Sequence, residues 1–232
     1  MRIQSMAVGL LVCAFCAAAQ NRPDEPVTAT VTNDTAGSAQ LTVRNVGKSE
    51  LTAFLYLYTL YRDPNGGANF ADTGYYDSAT DPEFARPIPP GGELTLPYRI
   101  GGNGFFAKVA VGAGIFADGA TFGDKATVQH ILDRRNFMLV SLRKSLAELQ
   151  QASADKLPRE QILANFSREL NREASLGLDP EMTNCIQQVR GQVIATLRTA
   201  RTPDGDAIPV QRLIDSLVGD FTRRKDILMN AR

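Results

Sequence analysis

The chain has 232 residues, of which 44% are hydrophobic and 22% are charged; this composition is typical of a globular protein with a buried core and excludes a disordered segment. Its 25 basic and 25 acidic residues give a formal net charge of zero. A strongly basic surface that would attract nucleic acid is therefore excluded, and we expect no nucleic acid among the partners.

The first nineteen residues have the pattern of a secretory signal peptide. Arg2 supplies a positive charge, residues 6–16 form an apolar run, and residues 17–19 are alanines of the kind that precede a signal-peptidase cleavage site. The run is shorter than the roughly 20 apolar residues of a membrane-spanning helix. We predict that residues 1–19 are removed, that the mature chain begins near Gln20 in a secreted or periplasmic location, and that it keeps no integral membrane segment.

The number of cysteines indicates that the mature chain is stabilised by packing and not by disulfides. Cys13 and Cys16 lie within the predicted signal peptide, so the mature chain keeps only Cys185 and forms no intramolecular disulfide. Lipidation of either early cysteine would need small residues just before it. Val12 and Phe15 are bulky, which favours simple cleavage.

Residues 24–122 alternate between apolar and polar side chains in short segments separated by turn residues, which is typical of β-strands. Residues 51–61 are apolar on both faces, which predicts a central or covered strand. Asp118 and Gly119 predict a hairpin turn before Phe122. The other predicted strands lie near residues 27–32, 39–45, 94–100 and 106–116.

Two motifs in this part carry a resemblance to a known class of domain. Residues 40–47 read QLTVRNVG, and residues 88–96 read IPPGGELTL. With the apolar strand between them, they resemble bacterial secreted Ig-like domains of the fibronectin-III or cell-adhesion-related type, over about residues 25–122. The resemblance implies a β-sandwich and a non-catalytic module that spaces, displays or binds. It transfers no functional residue to this chain.

After Gly123 the hydrophobic period changes from two to about three and a half, which indicates amphipathic helices. Four apolar stripes follow, the second from Pro158 and the third from the Asp179 cap. We predict an α-helical domain over residues 123–232, as an antiparallel bundle or two stacked helix hairpins. The fold class is therefore α+β, with an N-terminal Ig-like β-sandwich over residues 24–122 and a four-helix C-terminal domain.

Motifs for catalysis are scarce. His130 is the single histidine, which excludes a histidine-rich metal site. A Cys185–His130 pair is conceivable in a bundle, but a free cysteine more often fills a core as a small apolar side chain. No nucleophile elbow, phosphate-binding loop or zinc-protease motif is present. We predict no catalytic residue, no metal site and no cofactor.

Residues 62–87 form the best candidate for a binding site. This predicted long connection combines aromatic rings with carboxylates, the side chains that a sugar, a cationic ligand or a calcium ion would contact. The candidate ligand-binding residues are Asp72, Tyr75, Tyr76 and Asp77. The alternative is structural: the rings cover the edge of the sandwich while the acids face water.

Three functions follow from these observations. The first is an exported non-enzymatic module for binding, adhesion or assembly, with an unknown protein or surface ligand as partner. The second is a carboxylate-dependent hydrolase acting through residues 62–87, which requires Asp72, Asp77 and Asp81 to converge in a cleft. The third is a helical adaptor for a partner protein, which requires an uncovered apolar patch on the helices.

Overall fold

The computed structural model describes residues 25–33, 38–61, 70–82, 85–99, 106–202 and 205–231. The predicted signal peptide, with Cys13 and Cys16, lies outside these residues. The chain divides into two compact units, residues 1–131 and residues 132–232.

Within the described ranges, seven strands form two antiparallel sheets, and four helices follow them. The first sheet has the order β1-β2-β5 and the second the order β4-β3-β6-β7. The strands are β1 (Val27–Asn33), β2 (Ser38–Asn45), β3 (Leu51–Tyr61), β4 (Phe70–Asp77), β5 (Glu93–Arg99), β6 (Phe106–Phe116) and β7 (Thr121–Gly123). The helices are α1 (Lys125–Ala154), α2 (Arg159–Ala174), α3 (Pro180–Thr199) and α4 (Val210–Asn230). The predicted α+β class, with strands first and four helices after them, is confirmed.

Strand β3 is central in its sheet, as its apolar character on both faces predicts. It pairs with β4 along one edge and with β6 along the other. Phe54 is fully buried and its neighbour Leu55 is nearly so, although they face opposite sides of the sheet. Side chains of both sheets enter one hydrophobic cluster, in which Val27, Leu41 and Val43 of the first sheet join Phe54 and Phe116 of the second.

Asn45, at the end of β2, connects the two motifs of the Ig-like resemblance. Its Nδ2 donates to the carbonyl oxygens of Ser49 and Ile88, each at 2.8 Å. Its backbone N–H donates to the carbonyl of Gly92 at 3.0 Å, and its carbonyl accepts from the N–H of Gly91 at 2.8 Å. Because Asn45 is fully buried, these bonds replace those that water would otherwise make.

The change from strand to helix takes place between Gly123 and Lys125, beside the predicted domain boundary. Asp124 caps α1, since its Oδ1 accepts from the N–H groups of Ala126 and Thr127 at 3.0 Å. The hydrogen bond from the Thr127 hydroxyl is the main reason why the pKa of Asp124 is below its ordinary value. The division into compact units falls later, after Ile131, so the first turns of α1 group with the strands.

The helical unit is built around the four apolar stripes. The stripes bury, among others, Leu142, Leu149, Phe166, Val189, Val193, Leu197, Leu217 and Phe221. Buried arginines add polar ties: Arg135 donates to the carbonyl of Ala231 at 2.6 Å, and Arg224 donates to Oε1 of Gln192 at 2.8 Å. Within the described ranges, none of the helices is both long and apolar enough to cross a membrane.

Candidate functional site

Residues 62–87 are not one long connection, because Phe70–Asp77 form strand β4 beside β3. The prediction of a connection was wrong here: polar residues and Gly74 break the alternation by which a strand is recognised. In the register, Asp72 lies opposite Tyr58, Tyr75 opposite Leu55 and Tyr76 opposite Phe54. Neighbouring side chains on a strand leave on opposite faces, so Tyr75 and Tyr76 do not share a surface.

Tyr76 is part of the core. Its ring stacks on Phe54 with centroids 5.0 Å apart, and its side chain is buried. Its hydroxyl donates to the carbonyl of Arg86 and accepts from the N–H of the same residue, each at 2.7 Å. Tyr76 therefore holds the segment after β4 against the sheet.

Tyr75 and Asp77 differ in their exposure and in their contacts. Asp77 is 3% exposed, and its Oδ1 accepts from the N–H of Ala79 at 2.9 Å. Tyr75 is partly exposed, and its ring meets that of His130 edge-on at 5.5 Å. The side chain of Asp72 lies outside the described part. A ligand role for these four residues stays a prediction, as does the hydrolase, which would need the buried Asp77 carboxylate to reach a cleft.

A different site lies in the helical unit, as a groove of about 220 Å³. Its walls come from α1, from the last turn of α2, from the link between α2 and α3, and from α3. The apolar lining consists of Val140, Leu176, Leu178, Met182 and Ile186. Met182, Ile186 and Arg190 are spaced four residues apart on α3 and therefore lie along one face of that helix.

Three ion pairs connect Lys144, Glu173 and Arg190 of the groove lining with one another and with Glu148. Arg190 donates from Nε to Glu173 at 2.7 Å, and from Nη1 and Nη2 to both carboxylate oxygens of Glu148 at 2.8 Å. The second oxygen of Glu173 accepts from Lys144. The Arg190 guanidinium also lies over the ring of Phe166, 5.3 Å from its centroid. The buried charges are thus paired among themselves.

This pairing decides the protonation states of Glu173 and Arg190, which both line the groove. Burial works to raise the pKa of Glu173, but hydrogen bonds from Lys144 and Arg190 outweigh it and hold that pKa below its ordinary value. Burial works to lower the pKa of Arg190, and the bonds to Glu148 and Glu173 raise it instead. Both groups are therefore charged at neutral pH.

The link between α2 and α3 is shaped by local sequence. Gly177 has a φ of +63°, a left-handed conformation that side chains disfavour. The Asp179 carboxylate then caps α3 by accepting from the N–H groups of Glu181 and Met182, as its sequence pattern predicts. Leu176, just before Gly177, and Leu178, just after it, both lie on the wall of the groove.

The groove is exposed apolar surface rather than core. Leu176 is 54% exposed and Val140 is 48% exposed, two of the largest exposures among apolar side chains in the described residues. These residues lie outside the four apolar stripes of the sequence. Two sequence features could have indicated the groove. One is the pair of leucines, Leu176 and Leu178, in a short link between helices, and the other is Arg190, a charged residue four positions after Ile186 on an apolar stripe.

The described lining of the groove contains no histidine, and its carboxylate, Glu173, is paired with Lys144 and Arg190. Cys185, on the neighbouring part of α3, is fully buried, and its Sγ lies 3.8 Å from the carbonyl of Arg134. Burial raises the pKa of this thiol, so it is not an activated nucleophile. No cluster of three histidine, cysteine or acidic side chains suited to a metal ion is found among the residues that the structure describes. The arrangement suits binding by apolar contact.

Comparison with known proteins gives no family for this chain. No protein-family model matches it, and no curated protein does. It is similar to an X-ray structure of a hypothetical protein from Peptoclostridium difficile 630, at 10% identity and a TM-score of 0.30. That match covers 47% of this chain and 92% of the other. A TM-score this low carries no argument about fold or function.

Proposed function

We propose that this chain is an exported, non-enzymatic binding module, in which an Ig-like domain is joined to a helical domain that docks a partner protein. The observation that carries the proposal is the groove with Val140 and Leu176 exposed on its wall. An uncovered apolar patch is the feature that a helical adaptor requires, and exposed apolar surface of this kind marks interaction sites.

The strand order supports the Ig-like part of the proposal. If β1 to β7 are lettered A, B, C, C′, E, F and G, the two sheets have the orders A-B-E and C′-C-F-G. Ig-like sandwiches likewise divide their strands between a sheet containing A, B and E and a sheet containing C, F and G. Domains of this kind commonly serve as scaffolds at cell surfaces.

The chemistry of the groove supports a binding role over a catalytic one. The carboxylate of Glu173 accepts from two cations at once, which leaves it poorly suited to take up a proton from a substrate. The groove volume of about 220 Å³ is also below the roughly 300–1,000 Å³ of typical small-molecule sites. A space of this size suits one or two anchoring side chains of a macromolecular partner.

Photocrosslinking from inside the groove tests this function. A benzoylphenylalanine residue would replace Leu176 in the full chain, expressed in the organism of origin, and adducts would be identified by mass spectrometry. Met229 is the matched control position, since it is 48% exposed and does not line the groove. We expect a defined protein adduct from position 176 and none from position 229. Equal adducts from both positions, or none from position 176, would contradict the docking role.

Export is tested separately by intact-mass measurement on chain purified from the same cells. We expect a mass that begins near Gln20, because the pattern of residues 1–19 favours cleavage. A mass that still includes residues 1–19, or a lipid adduct on Cys13 or Cys16, would contradict export by simple cleavage.

A further inference from the structure

Resting on the proposed function, we infer that the groove binds an amphipathic helix of the partner protein, with two apolar side chains one turn apart and acidic residues beside them. Three properties of the groove lead to this occupant: its length, the hydrogen bonding of the backbone groups in its walls, and the sign of the charge on its rim.

The length of the groove matches about two helical turns. Met182, Ile186 and Arg190 line it along α3 and span about 12 Å at 1.5 Å per residue. A bound helix would place side chains i and i+4 within that distance, on one face. The space of about 220 Å³ is then filled by two anchors such as leucine, methionine or phenylalanine.

The walls favour a helix over an extended peptide. Val140 and Lys144 belong to α1, and Met182 and Ile186 belong to α3, so the backbone groups at these positions are bonded within their own helices. An extended peptide is normally held by main-chain hydrogen bonds to a strand edge, and none of the groove-lining residues belongs to a strand. A helix satisfies its own backbone and needs only apolar contacts from the groove.

The rim carries the charge that selects an acidic partner. The side chains of Lys144 and Arg172 line the groove and are 43% and 52% exposed. The carboxylates that they contact are less exposed, at 6% for Glu173 and 27% for Glu169. Solvent therefore meets mainly the positive partner of these two pairs. In the Arg190–Glu148 pair the carboxylate is the more exposed partner, at 31% against 2%, but Glu148 does not line the groove. The helical unit as a whole also has a net positive charge, because residues 132–232 contain 16 basic and 13 acidic residues.

A phage-displayed library of random 16-residue peptides, selected on the full chain, tests the inference. Each enriched peptide is then measured by fluorescence anisotropy against the parent and four variants. Leu176→Asp alters the groove wall, and Met229→Asp is its control. Arg172→Glu reverses the rim charge, and Arg223→Glu is its control, because Arg223 is 53% exposed and also pairs with a carboxylate three residues away. Melting curves identify variants that keep the parent fold.

We expect enriched peptides with apolar residues at i and i+4, a net negative charge, and helical circular dichroism when bound. The Leu176→Asp change should weaken the binding of these peptides about tenfold or more, as loss of an interface anchor does. The Arg172→Glu change should weaken their binding about fivefold, and this effect should be smaller in high salt. The Met229 and Arg223 variants should bind as the parent does.

The possible failures have different meanings. Groove-dependent peptides that are neutral, basic or extended would overturn the acidic-helix inference and leave the proposed docking function standing. Binders that are equally strong on the parent and on Leu176→Asp, or no binders at all, would overturn both.

Discussion

Glu173 and Arg190 form an ion pair of 2.7 Å in which both side chains are nearly withdrawn from solvent, at 6% and 2% exposure. Glu173 comes from the last turn of α2 and Arg190 from the middle of α3. The pair thus joins two helices directly beneath the apolar groove. Its consequences for stability are large because neither charge has water as an alternative partner.

Replacing Arg190 by methionine should destabilise the helical unit strongly. The change leaves the buried Glu173 carboxylate with Lys144 alone, and breaking a buried pair in this way costs about 3–5 kcal/mol. Chemical denaturation followed by circular dichroism measures the loss. Arg223→Met, in an exposed pair with Asp220, should cost at most about 1 kcal/mol. Equal effects of the two changes would show that the Arg190 pair is not buried in solution.

Stability should fall in acid through Glu173. Its pKa in the folded chain is held below the ordinary value of 4.5, so the folded state binds this proton more weakly than the unfolded state does. The contribution is complete above that value and disappears as pH falls through the lower, folded pKa. We expect Tm to drop as the pH falls below about 4.5.

The Glu173→Gln variant should start with a lower Tm and change less over that range. Glu169→Gln is the control, because the Glu169 pKa is also lowered, through its hydrogen bond from Arg172, but this pair is exposed to solvent. A Tm profile of Glu173→Gln parallel to that of the parent would contradict this assignment.

Asn45→Ala should unfold the strand unit more easily. The change removes the bonds that the side chain donates to the carbonyls of Ser49 and Ile88 and the bond that it accepts from the N–H of Gly47, at a total cost of about 1–3 kcal/mol. The measurement is thermal unfolding monitored by tyrosine fluorescence. Val46→Ala, at the adjacent position with 49% exposure, should stay within about 0.5 kcal/mol of the parent. If Asn45→Ala melts like Val46→Ala, the hydrogen bonds of the Asn45 side chain do not stabilise the strand unit.

Tyr76→Phe should test the structural role of a residue that the sequence indicated as a ligand contact. The ring stack on Phe54 is kept, while both hydrogen bonds to Arg86 are lost, so a loss of about 1–2 kcal/mol is expected. Denaturant midpoints provide the measurement. Tyr61→Phe, at the partly exposed end of β3, serves as control with an expected change below about 0.5 kcal/mol. An unchanged midpoint for Tyr76→Phe would contradict the role of its hydroxyl in holding the segment after β4.

Two glycine-to-alanine changes should have opposite signs. A Cβ at Gly74 would lie 2.2 Å from Cζ of Tyr56, so Gly74→Ala should cost about 1–3 kcal/mol. A Cβ at Gly191, inside α3, meets nothing within 4 Å, so Gly191→Ala should stabilise the helix by about 0.5–1 kcal/mol. Both are read from denaturation midpoints. A stabilising Gly74→Ala would mean that β3 and β4 are not paired in this register.

The pairing of β3 with β4 shows which part of the fold could not be predicted from the sequence. Alternation in residues 51–61 indicates a strand apolar on both faces, and β3 has those bounds. Strand β4 was missed because Asp72, Gly74 and Asp77 interrupt its pattern. Its pairing with β3 supplies the hydrogen bonds and the aromatic contacts that the local sequence does not indicate. Tertiary pairing overrides weak local preference in such strands.

The amino-acid sequence by itself determined the α+β class, the four helices and the Asp179 cap, because these depend on the period of apolar residues and on local backbone bonding. Only the tertiary structure decided where the groove lies and which residues form its walls. Its walls combine Val140 of α1, Leu176 of the link and Met182 of α3, which are far apart in the chain. Likewise, Glu148, Glu173 and Arg190 become one ion network only when three helices pack together. Such contacts depend on which faces meet, and periodicity within one helix carries no information about its neighbour.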